Sequence, residues 1–82
     1  MTPREAWNEA NDELVRAVEV LTLARFTLDA RRTTRPSDEA FIKYAEDRVA
    51  AAEERYHEAR TAEEAACRRI MLEEREARKE AK

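Results

Sequence analysis

Alanine recurs at every seventh position in two separate stretches, at Ala10, Ala17 and Ala24, and again at Ala45, Ala52, Ala59 and Ala66. Three positions before each alanine stands a larger residue: Trp7, Leu14 and Leu21, with Leu28 closing the row, and then Ile42, Val49 and Tyr56, with Glu63 next in line. A seven-residue repeat with two occupied positions is the signature of a helix that keeps one narrow stripe against another helix. The sequence contains no glycine, so nothing inside either stretch interrupts the pattern. The expected class is therefore all-α.

The two prolines mark where helices begin. In Thr2-Pro3-Arg4-Glu5 the threonine can accept from the amide three residues on, Pro3 suits the first helical position, and Glu5 can reach back to complete a capping box. The first helix is expected over about residues 3–30, with Asp12 and Arg16 forming a favourable acid-before-base surface pair. Residues 31–37 supply the only plausible turn, because Pro36 biases Arg35 away from helix and Ser37 can cap a second helix. That second helix then runs over about residues 38–80, roughly 65 Å at about 1.5 Å per residue. Its end, with few apolar anchors, is expected to fray.

Folding the chain back at the turn aligns both rows at once. Ala24 faces Ala45, Ala17 faces Ala52 and Ala10 faces Ala59, while Leu28 meets Ile42, Leu21 meets Val49 and Leu14 meets Tyr56. In the same register Trp7 falls opposite Glu63, where its indole N–H can donate to the carboxylate. Small residues facing small residues let the axes approach toward the low end of the usual range of about 8–10 Å. The expected architecture is a single antiparallel coiled-coil hairpin over residues 1–82 with an alanine-rich seam, dimerising into a four-helix bundle.

Two features left over by the hairpin motivate the dimer. Between Leu14 and Leu28, ten of fifteen residues are apolar, and Val15, Val20, Leu23 and Phe26 point away from the seam. A helix apolar nearly all round is buried on more than one side. The second helix also outruns the first, with Ile70, Met71 and Leu72 expected to be exposed on the overhang. An 82-residue chain buries a marginal core on its own. Its single cysteine, Cys67, excludes an internal disulfide, so another chain is the remaining support.

Composition narrows the function. Charged residues make up 43% of the chain with a net charge of −3, so both signs are interspersed as on solvated helix surfaces, and no general attraction to nucleic acid is implied. No run of eighteen apolar residues and no apolar leader core occur, which reads as a cytoplasmic protein without a membrane segment. Thirteen arginines against three lysines, with sixteen alanines, are the composition expected of GC-rich coding, as in an actinobacterium or its phage.

Candidate chemistry is sparse. Glu54-x-x-His57 resembles in spacing the ligand pair of ferritin-like di-metal proteins, but the pair lies on the face opposite the seam, and the first helix offers Leu14 and Val15 at that level rather than carboxylates. It is read as a solvated surface. Phe41, Tyr44 and Tyr56 sit at helical spacing and are read as packing. Ser37 and His57, the single serine and histidine, are far apart, so no nucleophilic triad is expected, and without glycine there is no phosphate-cradling loop. Arg31, Arg32 and Arg35 cluster at the turn and are the candidate anion contacts.

The functional expectation is a small non-enzymatic protein-interaction module without metal, cofactor or small-molecule substrate. It would be an adaptor, inhibitor or assembly factor, homodimeric and bound to another protein through Val15, Val20, Leu23 and Phe26 or through Ile70, Met71 and Leu72. The alternative is a nucleic-acid-binding hairpin that uses the arginine-rich turn.

Overall fold

A computed structural model describes residues 1–81, and Lys82, the last residue of the expected hairpin, lies outside them. The described residues form two helices, α1 (Pro3–Thr34) and α2 (Glu39–Glu80), laid side by side into a rod of 68 × 19 × 13 Å. At the start of α1, Thr2 Oγ1 accepts from the Glu5 amide at 3.2 Å and donates to the Glu5 carboxylate at 3.0 Å, which satisfies one of the free amides of the first turn.

The turn is shorter than the sequence suggests. Residue preferences end the first helix near residue 30, but α1 continues to Thr34. Thr33 and Thr34 donate their hydroxyls to the carbonyls of Asp29 and Ala30, which keeps those groups satisfied inside the helix. Pro36 then ends the helix by forcing Arg35 to a non-helical conformation, with φ −141° and ψ 68°.

The cap of α2 also differs from expectation. Arg35-Pro36-Ser37-Asp38 closes as a β-turn, with the Asp38 amide donating to the Arg35 carbonyl at 3.1 Å and Pro36 in the position that favours its fixed φ. Ser37 is thereby consumed as an inner turn residue, and Asp38 caps α2 instead, its carboxylate accepting from the Phe41 amide at 3.3 Å. No described residue has a positive φ, so this reversal needs no glycine.

The buried residues are Ala17, Leu21 and Leu28 from α1 and Ala45 and Ala52 from α2. Trp7, Ala10, Leu14, Ala24, Ile42, Val49, Tyr56, Ala59, Glu63 and Ala66 are half-buried along the same line. The alanines take the centre because a methyl is the largest group that fits where the helices approach most closely. Leucine and isoleucine fill the wider spaces beside them.

One flank of the seam is laced by ions. Arg4, Arg25 and Arg32 of α1 reach Glu74, Glu53 and Glu46 of α2 at 3.5, 3.4 and 3.5 Å. All six side chains are about half exposed or more, so each pair contributes at most roughly 1 kcal/mol and serves mainly to align the helices. On the other flank Arg55 reaches Glu13 at 3.6 Å.

Candidate interaction surface

That other flank opens near the turn into an apolar groove of about 350 Å³. Val20, Leu23 and Thr27 of α1 form one wall, Phe41, Tyr44 and Arg48 of α2 form the other, and Ala24 and Ala45 form its floor. The two small floor residues make it a depression where larger seam residues would have filled the space. The groove's polar groups are already engaged internally. The Thr27 hydroxyl donates to the Leu23 carbonyl at 2.9 Å, and the Tyr44 hydroxyl accepts from Arg48 Nη1 at 3.0 Å. Arg48 has no acidic partner among the described residues and leaves an unneutralised positive charge at the rim.

The exposed apolar residues anticipated on α1 do not share one surface. Val20 and Leu23 line the groove. Phe26, 70% exposed, borders an adjoining hollow of about 540 Å³ that shares Thr27 and extends to Arg31 and Arg35. Val15 is exposed but borders neither. Phe41 and Tyr44, which helical spacing assigned to packing, lie with ring centres 6.0 Å apart, Phe41 also under the Arg31 guanidinium, and together they form a wall of the groove. The signal that identifies them is that Phe41, Tyr44 and Arg48 recur at helical spacing beside, and not on, the alanine row.

At the open end the overhang begins later than the sequence register implies. Ile70, expected to be exposed, is half-buried, because Thr2, Pro3 and Arg4 lie beside Ile70, Glu73 and Glu74. The Arg4–Glu74 pair holds them there. Met71 and Leu72 are exposed, at 64% and 56%. Cys67 is a half-buried free thiol beside Glu63, Glu64, Arg68 and Met71.

The three turn arginines do not converge. Arg31 lies with its guanidinium 4.0 Å from the centre of the Phe41 ring and 3.8 Å from Asp38, while Arg32 pairs with Glu46. Arg35 alone faces solvent without an acid partner among the described residues. Glu54 and His57 are both exposed, and no group of three or more His, Cys, Asp or Glu side chains with metal-holding geometry occurs among the described residues. No helix is long and apolar enough to cross a membrane among the described residues. The Arg60 guanidinium is held above the usual arginine range by its hydrogen bond to Glu64 and by Tyr56, so it is a fixed charge.

The fold thus defines a two-helix hairpin with one ion-laced flank and, on the other, an apolar groove near the turn. No protein-family model matches the sequence, and no curated protein or solved structure matches this chain.

Proposed function

We propose that this chain is a non-enzymatic protein-interaction module that works as a homodimer, its two hairpins joined into a four-helix bundle, and that it acts in the cytoplasm as an adaptor, inhibitor or assembly factor. The observation that carries this reading is the apolar groove of Val20, Leu23, Phe41 and Tyr44, continuous with exposed Phe26, on a chain whose buried core is largely alanine. Each fully buried leucine contributes about 1.5–3 kcal/mol, and a hairpin with so few of them is poorly supported alone. Covering the groove with another protein surface removes water from the large apolar groups that the hairpin leaves open.

Thr27 and Tyr44, the two hydroxyls of the groove, bond to the Leu23 carbonyl and to Arg48 within the chain. The test is the solution mass by sedimentation under reducing conditions across a concentration range, repeated on the Leu23→Glu, Phe26→Glu double variant. A dimer in the parent chain and a monomer in the variant are expected. If the double variant leaves both the mass and the capture of other proteins unchanged, the reading fails.

A further inference from the structure

We propose that the occupant of the groove is a second copy of this chain, with its α2 packed antiparallel against the first α2 and displaced so that each overhang covers the other copy's groove. This rests on the homodimer reading and adds to it the face and the register.

The outer side of α2 carries a second seven-residue row, Tyr44, Ala51, Glu58, Ala65 and Leu72, every member of it exposed. A parallel row one step away holds Phe41, Arg48, Arg55, Ala62 and Arg69. The two rows start in the groove, where Phe41, Tyr44 and Arg48 form its wall, and end on the overhang at Leu72. They have the spacing of the internal seam, and although Phe41 and Arg55 touch α1 through Arg31 and Glu13, no second helix of the chain packs along them.

Set antiparallel to a copy of themselves, the rows match in chemistry. Phe41 lies against the partner's Leu72, and the Tyr44 ring meets the partner's Arg69 guanidinium, a favourable cation–π pairing. Ala51 faces the partner's Ala62, where two methyls allow close approach. Arg55, which lies 3.6 Å from Glu13 of its own chain, also meets the partner's Glu58 beside the two-fold axis, and Glu58 has no ionic partner of its own among the described residues. Symmetry makes each pairing occur twice. A parallel alignment would instead stack Glu58 on Glu58 and Arg55 on Arg55, which like-charge repulsion opposes. One arrangement therefore covers two of the apolar features that the hairpin leaves open, the groove at the turn end and Leu72 at the other.

The experiment uses the full chain with Cys67→Ala, carrying either Ala51→Cys or Ala62→Cys. Both positions are exposed, so each variant keeps the parent's helicity by circular dichroism. The two are unfolded together, refolded and mildly oxidised. Random pairing makes half of the dimers in an equal mixture mixed ones, so about half of the mixture is expected to run as a disulfide-linked dimer, while each variant oxidised alone stays largely uncrosslinked. In parallel, Glu58→Arg should weaken the dimer, and Arg55→Glu combined with Glu58→Arg should restore it when Glu13→Gln removes the carboxylate that faces residue 55 within the chain. If the chain sediments as a dimer but the mixture crosslinks no better than the separate variants, this face and register are wrong and the homodimer reading stands. A monomer at all concentrations removes both.

Discussion

The indole Nε1 of Trp7 donates to Oε1 of Glu63 at 3.0 Å, joining the first turns of α1 to α2 through a partly buried hydrogen bond. Glu63 is a charged member of an otherwise apolar row, so its position is explained by this partner. Sliding one helix by a single turn, about 5.4 Å, would leave the acid against apolar surface and the indole unpaired. The bond therefore acts as a register pin at the end of the hairpin opposite the turn.

Trp7→Phe keeps most of the ring and removes the donor. A hydrogen bond to a charged group is worth about 1.5–3 kcal/mol, and partial exposure places the expected loss at the lower end. Urea unfolding followed by circular dichroism measures it. Glu63→Gln, which keeps an acceptor oxygen, is expected to cost less than Trp7→Phe.

Ala17 and Ala52 are both buried in the seam, at 0% and 5% exposed. Replacing either with leucine pushes the helices apart and is expected to cost about 1–3 kcal/mol. Ala50→Leu, at an exposed position on α2, is expected to stay within about 0.5 kcal/mol of the parent. Equal effects at the buried and exposed sites in thermal melts would contradict close helix approach at the alanines.

The cap of α2 gives a paired test. Asp38→Ala removes the acceptor for the Phe41 amide and the partner of Arg31, with an expected cost of about 0.5–2 kcal/mol. Ser37→Ala, inside the β-turn with no cap to lose, should change stability by less than about 0.5 kcal/mol. A larger effect at Ser37 than at Asp38 in denaturant titrations would reverse the assignment.

The turn arginines separate by role. Arg31→Gln loses the stacking on Phe41 and is expected to destabilise the chain by roughly 0.5–1 kcal/mol, whereas Arg35→Gln is expected to be neutral. With Arg31 and Arg32 both facing acids, a gel-shift titration at low salt should be flat. Binding that is retained at low salt, falls steeply as salt rises and is lost on neutralising the three arginines would favour the nucleic-acid alternative.

Hydrogen exchange should report where α2 stops being supported. Amide protection is expected to persist through about Leu72 and to fall over the last turns, where every described side chain is exposed. Uniform protection to Glu80 would mean that further surface covers the helix end.

The all-helical class, the two helices and the alignment of Trp7 with Glu63 were legible in the sequence because they depend on period and on local chemistry. Alanine every seven residues can face only one direction on a helix, and no glycine or central proline offers an exit. The ends of the elements were less legible. Whether Thr34 extends α1 and whether Ser37 or Asp38 caps α2 depends on how a few hydroxyls, one carboxylate and Pro36 share a tight reversal, which residue preferences alone leave open. The groove was legible only on its α1 side, where Val20 and Leu23 stand off the seam, and not as a groove. Phe41 and Tyr44 read as packing residues because sequence spacing shows which residues share a helix face. Only the packed pair of helices determines that the face beside Ala24 and Ala45 has nothing above it. The same holds for Ile70, which period alone places on the overhang and which the first residues of α1 half cover. Sequence periodicity set which stripe each helix buries against the other, and tertiary packing decided which apolar residues remained in water.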